Sequence, residues 1–357
     1  MGLSVGIVGL PNVGKSTLFN AITKNEVEAQ NYPFCTIDPN VGIVGVPDNR
    51  LTELAQVIPT KQLVPAVVEF IDIAGIVKGA STGEGLGNKF LSNIRSCDAI
   101  AEVVRVFNDK NVLHVAGEIN PISDIETIKT ELILADLETV QRRAQKLEKE
   151  AKSDPKAKTV LGIINKIATE LDSGMPVRDQ ILNEKETECI RDLNLLTAKP
   201  HIYILNGDEE HLKSLDVTKY HLKPDETVII SAKVEAELNE LSDNEKREYL
   251  KELGQNETGL DSLVKKGFAL LGLQTYFTAG EKEIKAWTIK KGWTAPQAAG
   301  VIHGDFERGF IKAEVVNYKD LIEYKGWIGA KSAGKVRLEG RDYVVNNGDV
   351  MIFKFNV

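Results

Sequence analysis

Five short runs rich in aliphatic and β-branched residues, at 3–8, 67–71, 99–107, 201–205 and 227–230, are separated by stretches with helical spacing. Continuous apolar runs mark strands buried on both faces, and helices between them mark crossover connections. The pattern therefore predicts an α/β fold with a doubly wound, mostly parallel sheet. Between the third and fourth runs the texture changes. Ile133, Leu137, Val140, Ala144, Leu147 and Ala151 step by four and three among many charged residues, and Val160, Ile164, Ile167 and Leu171 repeat the step after a break at Ser153-Asp154-Pro155. Two helices folded back on each other as a coiled-coil insertion are expected; the alternative is ordinary amphipathic helices lying on the sheet.

From about Leu273 the runs become short and glycine-bounded, at 284–289, 309–316, 343–345 and 350–355, which predicts a small α+β tail domain. Lys and Arg outnumber Asp and Glu there, and Trp287, Trp293 and Trp327 all fall within it. Basic and aromatic residues together suit RNA, although Trp is more often packing material. The chain as a whole has 357 residues, 42% of them hydrophobic, and a net charge of -8, so any polyanion contact has to come from a local patch. Its three cysteines, Cys35, Cys97 and Cys189, form no CxxC pair, which argues against a disulfide framework or zinc site and for a reducing, cytoplasmic compartment. No apolar run approaches the length needed to cross a bilayer, so no membrane partner is expected.

The chemistry is concentrated after the first run. Gly9-Leu10-Pro11-Asn12-Val13-Gly14-Lys15-Ser16 follows a strand and leads into a helical stretch, the context that a phosphate-binding P-loop requires. Asn12, Val13, Gly14, Lys15, Ser16 and Thr17 are expected to hold the nucleotide. The backbone N–H groups and the helix N-terminus face the phosphates, Lys15 neutralises the β and γ oxygens, and Ser16 ligates Mg²⁺. Asp72-Ile73-Ala74-Gly75 ends the second run, where Asp72 can hold the metal through water and the Gly75 N–H can meet the γ-phosphate. Thr36, in the loop 31–40, is placed to bring its hydroxyl to the metal. Gly75, Gly79, Gly83, Gly85 and Gly87 make the following segment pliable, as a segment that orders around a γ-phosphate would be.

With GLPNVGKST, YPFCTIDPN, DIAG and a later Ser231-Ala232-Lys233 after a strand, the chain resembles GTPases of the translation-factor-related class. More narrowly, it resembles the YchF/Obg-like family of ribosome-binding ATPases. DIAGIVKGASTGEGLGNKFL and the tail strings AWTIKKGWTAPQAAGVIHGDFERGFIKAEV and NNGDVMIFKFNV extend the likeness over nearly the whole chain. The resemblance implies an OBG-type G domain at 1–125 and 200–274, interrupted by a helical insertion at 126–199 and followed by a β-grasp TGS domain at 275–357. It also implies a monomer whose partner is the ribosome, at its large subunit and rRNA.

GTPases of this class carry Asn-Lys-x-Asp after the fifth strand, the Asp accepting from guanine. Here the place reads Asn206-Gly207-Asp208-Glu209, so the covering Lys is absent and a Glu stands where Asp should be. Asn206, Glu209, Ser231 and Ala232 are the expected base-side residues, with Asn206 and backbone groups reading the adenine amino group. A missing bidentate pair is worth a few kcal/mol, which predicts ATP bound at least as well as GTP and hydrolysed to ADP. A one-residue slip bringing Asp208 to the base would restore guanine. Ile76 follows DxxG where many GTPases have Gln, so slow intrinsic turnover is expected. Two replacements are candidates. K⁺ beside the phosphates with Asn12 as a ligand is taken from related GxPNxGKS enzymes; His114, in HVAGEINP, matches the segment proposed in the family to supply a catalytic His. With Lys15 and Gly75, His114 completes the expected catalytic set. The rivals are a nucleotide-gated adaptor with incidental hydrolysis and a small-molecule kinase, although no Arg-rich lid is found for the latter. No HExxH motif is present.

Overall fold

The computed structural model describes residues 4–24, 40–73, 86–109 and 119–356. The first sheet follows the apolar runs. Its strands are β1 (Ser4–Gly9), β2 (Val41–Gly45), β4 (Val67–Asp72), β5 (Ala99–Arg105), β6 (His201–Asn206) and β7 (Thr227–Ile230), in the order β2-β4-β1-β5-β6-β7. All are parallel except β2, which pairs antiparallel with β4. β2 reads VGIVG, and its two glycines hide it from a search for apolar runs. β1 and β5 are buried along their whole length, as strands covered on both faces must be. Val5 and Ile7 face a core shared with α1 (Lys15–Thr23), while Val8 faces one shared with α3 (Leu86–Ser96). Between these two helices in the chain lies α2 (Asn49–Val57).

α4 (Pro121–Glu150) starts with Pro121 in its first turn and Asn120 as cap, the Asn120 side chain accepting from the Ser123 N–H at 3.1 Å. Its first half packs on the sheet through Ile128, Leu132 and Ala135. From Ile133 onward it packs on α5 (Pro155–Asp172), where Ile133, Val140, Ala144 and Leu147 share a core with Ile164, Ile167 and Leu171. The break falls where Pro155 predicts it, and the Asp154 side chain caps α5 by accepting from the Lys156 N–H at 2.9 Å. The helix is continuous from sheet to insertion, so the boundary drawn at residue 126 lies inside it. The chain returns to β6 along Asp136, which is fully buried and accepts from the N–H groups of Leu196 and Thr197 at 2.8 and 2.7 Å.

The tail forms a second sheet, from β8 (Leu273–Ala279), β9 (Ile284–Lys290), β10 (Phe310–Asn317), β11 (Arg337–Glu339) and β12 (Asp349–Phe355). The expected strand at 343–345 reduces to an isolated bridge between Thr294 and Val344. Its backbone is spent on the helix Ala295–Ile302 and the turn before it, Ala295 donating to the Tyr343 carbonyl at 2.8 Å and Val345 to that of Trp293 at 3.0 Å. The three tryptophans pack against the apolar clusters rather than forming a stacking platform.

A sixth strand, β3 (Leu63–Val64), comes from between α2 and β4 and pairs parallel with β9, giving the order β11-β10-β12-β8-β9-β3. The two sheets thereby share a core in which Leu51 and Leu54 of α2 join Phe277, Ile284, Leu321 and Val350 of the tail. Arg50 closes this joint. It holds Asp48 through two nitrogens at 2.7 and 2.6 Å, donates to Asn347 at 2.9 Å, and lies 4.9 Å from the Phe277 ring.

Candidate functional site

The registers bring the carboxyl ends of the parallel strands into one row. Ile7 stands opposite Asp72, Gly9 opposite Val103, Arg105 opposite Asn206, and Asn206 opposite Ile230. β1 lies where the connections diverge, to β4 on one side and β5 on the other, and open α/β sheets hold ligands at such a point.

The turn between β1 and α1 places Asn12 and Gly14 in the left-handed region, at φ 64° and 89°. Only glycine fits at 14, because a Cβ there would come within 2.2 Å of Asn206 Nδ2. α1 has no side-chain cap and no acid in its first turn, so its leading N–H groups are left for an anion. Val13 is buried, whereas Ser16 and Thr17 are exposed on that first turn. Lys15 forms an ion pair with Asp72 at the end of β4, their side chains 11% and 22% exposed, so cation and carboxylate meet at the mouth of the site. A Mg²⁺ ion takes hard oxygen ligands, usually one or two from protein and the rest from phosphate and water. The Ser16 hydroxyl and the Asp72 carboxylate fit that requirement, although no cluster of three or more His, Cys, Asp or Glu side chains suited to a metal occurs among the described residues.

Beside the turn lies a cavity of about 480 Å³, a volume suited to a nucleotide. Gly14 and Thr17 line it on the P-loop side, Phe107 and Asn108 after β5, residues 206–209 after β6 and 231–234 after β7. A larger cavity of about 790 Å³ lies beyond β7, between Leu212 and Lys266, and does not reach the P-loop.

Asn206 is 4% exposed, and both ends of its amide already hold backbone: Nδ2 donates to the Val13 carbonyl at 2.8 Å, and Oδ1 accepts from the Ala232 N–H at 3.0 Å. In the described arrangement Asn206 thus links the phosphate turn to the base loop. Position 207 has no room for the missing Lys, since even a Cβ would lie 2.7 Å from that of His211. The Asp208 carboxylate accepts from the Asn108 N–H at 3.3 Å across the cavity mouth, and that of Glu209 lies 3.8 Å from Lys213. Ser231 is buried as the cap of the helix Ala232–Leu238, its hydroxyl accepting from the Val234 N–H at 3.4 Å. Thr36, Gly75 and His114 lie outside the described residues.

Two charged residues of β5 escaped notice inside an apolar run. Glu102 meets His201 of β6 at 2.9 Å, and burial keeps both neutral, raising the carboxyl and lowering the imidazole. Arg105 closes the strand directly beneath the P-loop. A charge ending a fully buried strand was the available signal.

A strand, a glycine turn and an uncapped helix, with a lysine facing an aspartate on the next strand, define a P-loop nucleotide-binding protein. Residues 4–166 match the family described as 50S ribosome-binding GTPase, and residues 273–356 match the YchF GTPase C-terminal family, described as a protein of unknown function. The chain is 54% identical to the ribosome-binding ATPase YchF of Bacillus subtilis and 51% identical to that of Escherichia coli O157:H7, covering all of both proteins. The solved structure of the Schizosaccharomyces pombe YchF GTPase superposes with a TM-score of 0.89 at 40% identity, over 99% of this chain and 98% of that one. The chain belongs to the YchF family.

Proposed function

We propose that this chain is a cytoplasmic, Mg²⁺-dependent ATPase that binds ATP in preference to GTP and uses its nucleotide state to set its affinity for the ribosome. The observation that carries the proposal is the uncapped start of α1, with Lys15 facing Asp72, opening beside a base cavity where position 207 cannot hold a side chain. The bacterial relatives are ribosome-binding ATPases, which supports both the nucleotide and the partner.

In this mechanism water attacks the γ-phosphorus, the bond to the β–γ bridging oxygen breaks, and ADP and phosphate leave. Lys15 and the amides of the turn hold the charge that builds on the phosphate oxygens. Ser16 and Asp72, together with Thr36 as the sequence implies, would hold Mg²⁺, which would supply positive charge to the phosphate oxygens. The Gly75 N–H would meet the γ-phosphate and His114 would orient the water in place of the absent Gln, and Asn12 would serve as a ligand if K⁺ assists. Guanine is read by an Asp that accepts from its N1–H and N2 amino hydrogens, and here Glu209 stands in that place with no Lys at 207 to cover the base.

The chain divides into the G domain at 1–125 and 200–274, the helical insertion at 126–199 and the tail at 275–357, acting as a monomer on the large subunit and its rRNA. β3 gives nucleotide state a route to the tail, because it belongs to the tail sheet and lies just before β4, the strand that ends at Asp72. Sedimentation with ribosomes in ATP, ADP and nucleotide-free buffer tests the proposal. Bound fractions that differ between ATP and ADP are expected; equal fractions in all three would remove the switch.

A further inference from the structure

Arg105 is 1% exposed, one of the bulkiest side chains to be buried so completely. Burying a guanidinium is costly and is ordinarily offset by a carboxylate. Here its partners among the described residues are neutral. Nε donates to the Phe107 carbonyl at 3.3 Å, one terminal nitrogen donates to the Asn12 carbonyl at 3.5 Å, and the other to that of Asp109 at 3.2 Å. The guanidinium carbon lies 4.3 Å from the centre of the Phe107 ring.

One of those carbonyls belongs to the phosphate turn. In a trans peptide the C=O and the following N–H point in opposite directions. Holding the Asn12 carbonyl from below therefore aims the Val13 N–H away from the protein, toward the phosphate position. Asn206 does the same one residue later, since its grip on the Val13 carbonyl at 2.8 Å aims the Gly14 N–H. The left-handed backbone at Asn12 and Gly14 belongs to the alternation that turns successive amides into an anion nest.

We propose that Arg105 is a positioning residue for nucleotide binding, aiming the Val13 N–H at the phosphates and joining the phosphate turn to the 107–109 wall of the base cavity. The inference rests on the proposed nucleotide site. A polyphosphate in the turn would bring negative charge to the buried guanidinium. Lysine retains the charge but not the fork, so it cannot hold the three carbonyls together.

Calorimetry with Mg-ADP, together with amide spectra of ¹⁵N-labelled protein, tests this on the wild type, R105K and R105Q. In the wild type, the Val13 and Gly14 amide protons shift together when Mg-ADP binds. In R105K, binding weakens on the order of tenfold and the Val13 shift shrinks, while Gly14, still aimed by Asn206, keeps its own. R105Q, which also lacks the charge, binds more weakly still; if it does not fold, R105K decides. A folded R105K that binds within about twofold of wild type with an unchanged Val13 shift overturns the proposal, because a merely structural arginine would lower stability and leave that amide alone. Wild-type protein that fails to bind Mg-ADP overturns the nucleotide reading and this inference with it.

Discussion

Glu235 sits on the helix that follows the base loop, 5% exposed, with its carboxylate accepting from the Gly259 N–H at 2.7 Å. Burial pushes its carboxyl up to about 7, against the downward pull of the Gly259 and Leu260 amides. A raised acid stabilises the fold below its unfolded value near 4.5, and that stability is lost as the pH rises through about 7. The difference is worth up to ~3 kcal/mol. Glu235→Gln should therefore be more stable than wild type in urea at pH 8 and similar to it below pH 5. A wild-type stability that is flat across that range would show the carboxylate to be solvated. Residue-scale chemistry was only partly legible in the sequence. The P-loop residues announced themselves through fixed spacing, because amides, ammonium and hydroxyl must converge on one phosphate. Asn206 is legible as a base-side candidate, whereas only the packing of β6 against the turn shows that its amide also links Val13 and Ala232.

At the scale of elements, periodicity was informative wherever one rule governed a whole run. The parallel strands and the α4–α5 pair follow from continuous apolar runs and from heptad steps, both dictated by burial. β2 and β11 were not legible, since a glycine-rich strand and a three-residue edge carry too few side chains to show a period. The fastening of the helical pair to the sheet is likewise a tertiary matter. Asp136 sits in a heptad stretch as one acid among many, but it is the buried acceptor for Leu196 and Thr197, and the Thr197 hydroxyl also donates to it at 2.7 Å. Asp136→Ala leaves two buried N–H groups without acceptors and should cost about 3 kcal/mol in urea unfolding. A loss under 1 kcal/mol would mean that the returning segment is held by its apolar contacts alone.

At the scale of the whole molecule, the tail is built into the nucleotide-binding part rather than tethered to it. β3 completes the tail sheet, and Arg50 couples α2 to Asn347, Phe277 and Tyr318. Two adjacent apolar residues, Leu63 and Val64, carry no sequence signal of membership in a distant sheet. Arg50→Ala removes a bidentate pair together with its stacking and should lower stability by about 2 kcal/mol. It should also expose the tail to limited proteolysis before the first sheet is cut; unchanged cleavage would show that the shared apolar core suffices. No helix among the described residues is long and apolar enough to cross a membrane. The base cavity gives the account its central claim, that a triphosphate is held in the P-loop while its purine is not selected for guanine. Titrating the purified protein with ATP and with GTP in the presence of Mg²⁺ tests this directly. ATP should bind at least as tightly as GTP, and a strong preference for GTP would contradict that claim.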